Sequence, residues 1–215
     1  MATSAGAYGF IPVKNADGSA YVGARNQYEI NPSGISENIG YGTIVQLHTD
    51  GYVTTADGDG SDATTNNLGG NTIGALGVFV GCEYVNSVGQ LVFDQLYPSG
   101  QAAATGTLIK AYVVDDPNVV FQVQANGAVT QTDLGHNVHL AGAGSSGAQH
   151  ITNDVNTTTG KSKVAVDATT QTATAAFKIV GFSDRPGSTI GDDFTDLLVK
   201  FNLPYHQFGT GVVSN

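Results

Sequence analysis

The sequence predicts an all-β protein, a barrel or sandwich of short antiparallel strands with an extended N-terminal arm and long Gly-rich loops. Three observations carry this expectation. Short runs of β-branched and aromatic residues recur along the 215 residues, separated by Gly, Asn, Asp and Pro. No segment shows the capped, three-to-four-residue apolar period of an amphipathic helix. The chain contains 29 glycines and is only 12% charged, where about 25% is usual. Its polar surface must therefore come from Thr, Asn, Gln, Ser and Gly, which suits a β-rich structural protein that meets partner surfaces. There is no fixed-period repeat, which disfavours a solenoid or propeller.

Residues 1–37 read as an extended arm and residues 38–215 as the body. In the arm, Asn15-Ala16-Asp17-Gly18 and Asn31-Pro32-Ser33-Gly34 are turns. Tyr8, Phe10, Ile11, Tyr21 and Tyr28 stand between them. So many aromatic residues are foreign to a free tail, and the arm is expected to dock on its own body or on a neighbouring subunit. In the body, Thr43-Ile44-Val45-Gln46-Leu47-His48 is the first clear strand. Asp50-Gly51 then turns the chain into a second, the pattern of a hairpin. Further strands are predicted over residues 73–84, 90–96, 108–114 and 119–124, with turns at Asn86-Ser87-Val88-Gly89 and Asp115-Asp116-Pro117-Asn118. A glycine-rich, loop-like insertion is expected at about 125–162. Three last strands are expected over 162–168, 172–182 and 196–203, before a short tail beginning at Tyr205.

Several residues could carry chemistry, and their spacing argues against each. Asp57, Asp59, Ser61 and Asp62 superficially suggest a calcium loop. The EF-hand pattern counted from Asp57 requires Gly at position six and Glu at position twelve, but finds Asp62 and Leu68. A solvated acidic loop is the better reading. His136 and His139 have a zinc-like separation, and His150 follows, but no cysteine pair or capped helix accompanies them. His48 is expected to be an idle histidine beside a turn. Asp115 and Asp116 are adjacent carboxylates, which would point to opposite faces of a strand with no second catalytic group nearby. Cys82 lies in the apolar run Gly77-Val78-Phe79-Val80-Gly81-Cys82 beside Glu83. That setting suits a buried small hydrophobe rather than an activated thiolate. The segment 141–147 lacks the Gly-Lys-Ser/Thr ending of a phosphate loop. The expectation is no catalytic, cofactor-binding or metal site.

Net charge is −10, with eight scattered basic residues, which argues against direct nucleic-acid binding. One cysteine excludes an intramolecular disulfide. Met1-Ala2-Thr3-Ser4 is unlike a signal peptide, and no run approaches about 18 apolar residues. The expectation is synthesis in a cytoplasm, with no membrane partner and no export by the usual route.

Three stretches in the central block are Gly77-Val78-Phe79-Val80-Gly81-Cys82-Glu83-Tyr84, Phe93-Asp94-Gln95-Leu96-Tyr97-Pro98 and Lys110-Ala111-Tyr112-Val113-Val114-Asp115-Asp116-Pro117. With residues 177–182 and 198–206, they resemble small capsid cement, or decoration, proteins of tailed bacteriophages, particularly aquatic phages of the cyanophage type. The resemblance covers residues 40–124 and 175–206 and leaves out the arm and the insertion. It implies a non-catalytic virion protein on the outer capsid surface, often a homotrimer at three-fold positions, bridging subunits of the major capsid protein. The alternative reading is a head-fibre, tail or receptor/glycan-binding virion component, with loops 56–72 and 125–162 facing outward.

Overall fold

The computed structural model describes residues 6–56, 74–141, 155–171, 175–184 and 186–211. Among them, the early strands are β1 (Ile11–Asn15), β2 (Asn26–Ile30), β3 (Ile39–Gly40), β4 (Ile44–Leu47) and β5 (Val53–Thr55). The middle of the chain gives β6 (Gly77–Val85), β7 (Leu91–Asp94), β8 (Leu96–Tyr97), β9 (Ile109–Val114) and β10 (Val119–Gln124). The last third gives β11 (Asn137–Ala141), β12 (Val155–Asn156), β13 (Lys161–Ser162), β14 (Ala165–Gln171), β15 (Phe177–Phe182) and β16 (Asp196–Phe201). One helical turn, α1 (Gln207–Thr210), follows.

Two main sheets pack as a sandwich. The first has the order β1-β10-β16-β15-β11-β14. The second has the order β2-β9-β6-β4-β5, and β7 also pairs with β6. All pairings between these strands are antiparallel. Each sheet keeps two end strands, so the all-β expectation resolves to a sandwich, not a closed barrel.

The apolar residues divide into two cores. The larger lies between the sheets and joins Phe121, Phe177, Ile179, Val199 and Phe201 of the first to Ile44, Val78 and Val114 of the second. The smaller covers the other face of the second sheet. There Val45, Phe79, Cys82, Ile109, Ala111 and Val113 meet Ile39 and Tyr97 of the β3–β8 pair. The second sheet is thus buried on both faces along part of its length, which accounts for the near-continuous apolar runs of β6 and β9.

A bulge lets β6 serve both cores. Strand side chains alternate faces, so Phe79 and Cys82 would ordinarily oppose each other. The register of β6 against β9 slips between Phe79 and Gly81. That extra residue changes the parity, so Phe79, Cys82 and Tyr84 all reach the smaller core. Gly81 takes φ +150°, and a Cβ there would come within 3.1 Å of the Asp94 carbonyl oxygen.

The arm expectation is corrected by where its residues lie. β1 forms one end of the first sheet against β10, and β2 forms one end of the second against β9. Phe10 is fully buried, its ring 4.7 Å from Phe177 and 6.3 Å from Phe121 between centroids. Pro12 is accommodated because β1 is an end strand, with a register shift beside it. Residues 6–37 are therefore part of the body. Of the two docking targets left open by the sequence, their own body is the one they meet.

The loop-like insertion is corrected as well. Asn137–Ala141 forms β11, which sits between β15 and β14 in the first sheet. Val138 and Leu140 enter the larger core. Val138-His139-Leu140 alternates as a strand should, but the run is short and lies between Gly135 and Gly142, so it reads as loop.

Candidate interaction surface

The candidate chemical residues are dispersed by the fold. His136 is exposed and His139 is buried within β11, so their three-residue separation does not align them as on a helix. No cluster of three or more His, Cys, Asp or Glu side chains suited to a metal occurs among the described residues. His150 and the Asp57–Asp62 loop lie outside the described residues, as does most of the 141–147 segment. His48 Nδ1 is 3.1 Å from Asp50 Oδ1 at the tip of the β4–β5 hairpin.

The adjacent carboxylates have separate structural roles. Asp115 is buried and accepts hydrogen bonds from Asn26 Nδ2, at 3.1 and 2.9 Å, and from the Tyr28 hydroxyl at 2.6 Å. It fastens β2 to the end of β9. Burial and this carboxylate raise the Tyr28 phenol well above its usual range. Asp116 is exposed and accepts the Asn118 amide at 2.8 Å, closing the turn. Cys82 is buried, and burial pushes its thiol up to about 12. The thiolate, the nucleophilic form, is thus disfavoured.

Sequence reasoning missed two polar anchors. Glu37, at the end of the supposed arm, is buried and accepts a hydrogen bond from the Thr55 hydroxyl. Gln207 is buried, and its carboxamide bonds both the N–H and the C=O of Leu47, at 2.8 and 2.9 Å. Only the neighbouring strand edge could have revealed these roles, because a lone Glu or Gln in sequence carries no partner information.

The exposed chemistry gathers at the far end of the second sheet. Val78 and Val114 face the first sheet, but their strands continue beyond its cover. The same sheet face then presents three cross-strand rows. In the middle row, Phe93 of β7 pairs with Glu83, Glu83 with Lys110, and Lys110 with Glu29. In a second row, Gly81 pairs with Tyr112 and Tyr112 with Gln27. At the tip, Leu91 pairs with Val85, and Leu108, just before β9 and two residues from Lys110, follows the side-chain alternation onto the same face. Phe93 is 66% exposed, Leu91 55% and Leu108 48%.

Polar contacts order this face. Lys110 Nζ is 3.2 Å from Glu83 Oε1, and the Tyr112 hydroxyl donates to Glu83 Oε2 at 2.7 Å. The Tyr112 and Lys110 bonds hold the Glu83 carboxyl below its usual range. The Arg25 guanidinium carbon sits 4.5 Å from the Tyr112 ring centroid, a cation–π arrangement. Beside them a shallow cavity of about 250 Å³ is lined by Arg25, Val80, Gly81, Phe93 and Tyr112, among others. The arrangement offers apolar contact with paired charges. Cys82 also lines the cavity, but its thiol is held protonated by burial and donates to the Leu96 carbonyl oxygen at 3.7 Å, not to a base.

Comparisons with known protein families, curated proteins and solved structures give no match.

Proposed function

We propose that this protein is a non-catalytic virion component that binds the outer surface of a phage head and stabilises it by bridging major capsid protein subunits. The reading begins from the sequence resemblance to cement proteins. The observation that best supports it is the exposed end of the second sheet, where Leu91, Phe93 and Leu108 remain uncovered around an ordered ion pair. Large apolar side chains exposed together on one face are a feature of interaction sites. Low charge and an all-β sandwich suit a surface protein whose action is contact. Symmetry would repeat each contact around the shell, so a modest interface adds up over many copies. In the same reading the copies form a homo-oligomer at a capsid symmetry axis, three-fold in the proteins that the chain resembles.

The test is co-sedimentation of the purified protein with heads assembled from the major capsid protein alone. Saturable binding at a ratio set by icosahedral symmetry, with a raised head melting temperature, is the expected result. A protein that stays in the supernatant at every concentration would overturn the reading and direct attention to tail or receptor-binding roles.

A further inference from the structure

We propose that the uncovered end of the second sheet is the interface with a second copy of this chain, the two faces packed about a two-fold axis that runs along the strands between β6 and β9. The inference shares with the head-binding reading the premise that this face is an interaction surface, and it assigns the face to a second copy instead of the head, so that head binding would fall to the outer surfaces of the dimer.

The choice of occupant rests first on charge. The chain carries a net charge of −10, so copies repel through most of their surfaces. On this face Arg25 and Lys110 balance Glu29 and Glu83, leaving no net charge. The repulsion is therefore weakest where the apolar side chains are exposed. Asp94, which also lines the cavity, adds one negative charge at the edge of the face, where its carboxylate accepts the Leu96 amide at 3.0 Å.

The second argument is self-complementarity. A two-fold axis along the strands, midway between β6 and β9, sets each residue of β6 against the partner's residue of β9 in the same row. Glu83 then meets the partner's Lys110, and the partner's Glu83 meets Lys110. Val85 meets the partner's Leu108, apolar against apolar. Gly81, which has no side chain, meets the partner's Tyr112, and the shallow cavity beside Gly81 gives that ring space. Across β6 and β9 the three rows match under one operation: opposite charges, two apolar residues, and a large residue against a gap; further out, Phe93 of β7 lies over the partner's Glu29 of β2. Such isologous matching is what a two-fold contact requires. The Glu83–Lys110 and Gly81–Tyr112 matches also occur between neighbouring strands within one chain, so the two-fold reuses pairings already compatible with the side chains. Face-to-face sheets pack about 10 Å apart, close enough for the side chains to interdigitate.

The interface differs from the three-fold arrangement that the sequence resemblance implies, and sedimentation equilibrium of the full chain reads the difference directly. Dimers are expected. Phe93→Asp places an unpaired charge in the contact and should weaken association about 100-fold or more, while its melting temperature, compared with the unsubstituted chain at a dilution where both are monomers, stays unchanged because position 93 is exposed in the single chain. Val85→Asp and Leu108→Lys should each do the same. Mixing the Val85→Asp chain with the Leu108→Lys chain sets the new Asp against the new Lys across the two-fold, and Leu108 against Val85 on the other side. The mixture should therefore associate at least about 10-fold more tightly than either variant alone. A monomer at all concentrations, a trimer, dimerisation that survives Phe93→Asp, or a mixture no tighter than its components would each overturn the proposal. Head co-sedimentation is scored separately. A dimer that ignores heads removes the functional reading alone, and head binding by a monomer removes this one alone.

Discussion

His206 shows how one side chain can link the two sheets. Its residue is fully buried, and it makes a parallel bridge to Ala75, just before β6. The ring lies 4.9 Å from the Phe201 ring and 4.8 Å from the Phe208 ring. Nδ1 accepts the Phe208 amide at 3.2 Å, so the neutral ring carries its proton on Nε2. Burial lowers its pKa from the usual value near 6.5, and this outweighs the opposing pull of the Asp115 and Asp116 charges. Above about pH 6.5 the ring is neutral in both folded and unfolded chains, and there is no pH-dependent term. As pH falls below that value, the unfolded chain takes up the proton first. Stability should therefore decline as pH falls from about 6.5 towards the lowered folded pKa, and level off below it. Urea unfolding between pH 7 and 5 would measure the decline. His206→Asn retains an acceptor and cannot titrate, so its stability should lose less over the same range. Equal slopes for the two proteins would refute the assignment.

At the scale of elements, β2 depends on Asp115. Its five residues are mostly exposed and bring only Ile30 and part of Tyr28 to the smaller core. Asp115 supplies a carboxylate for both Asn26 and Tyr28 near the opposite end. Asp115→Ala would remove the acceptor of a partly buried hydroxyl and carboxamide, at a cost of about 1–3 kcal/mol. Hydrogen exchange should speed most at the amides of β2 and of its neighbour β9, while β15 and β16 in the other sheet stay protected. Uniform acceleration across both sheets would show that Asp115 supports global rather than local stability. The sequence marked this carboxylate, but it read the 115–118 stretch as a turn because Asp and Pro dominate it. It could not display the two partners, almost ninety positions earlier. The hairpin at Asp50-Gly51 was legible because its signal is local, as were β6, β7, β9, β10, β15 and β16. β11 was not, since glycines crowd its flanks and its alternating run is only a few residues long. The uncovered face was also hidden from the sequence. Phe93 and Leu108 look like core residues in an apolar run, and only the end of the first sheet's cover leaves them exposed.

At the scale of the whole molecule, residues 6–37 bind the sandwich together. They give β1 to one sheet and β2 to the other, and between the sheets they place Phe10 against Phe121 and Phe177. The backbone approaches closely at that point. Phe10 N–H bonds the Gly42 carbonyl at 3.0 Å, and a Cβ on Gly42 would lie 2.9 Å from Phe10 N. Tyr8 adds a hydroxyl that donates to Asp196 at 2.8 Å and accepts from Gln122 at 2.9 Å. Loss of a core phenylalanine alone costs about 3–5 kcal/mol, against a total stability of about 5–15 kcal/mol for a domain. Deleting residues 1–37 would remove that ring, bare the outer edges of β9 and β10, and leave Asp115 without Asn26 or Tyr28. Unpaired strand edges also invite association. The truncated chain should therefore lose its cooperative thermal transition and its near-ultraviolet circular dichroism, with strand content and a tendency to aggregate persisting. A separate peptide of residues 1–37 should restore the transition when added in excess, because its contacts are with the body itself. A truncated chain that melts cooperatively at the full-length temperature would show instead that this segment is peripheral to the fold and available to reach a neighbouring subunit.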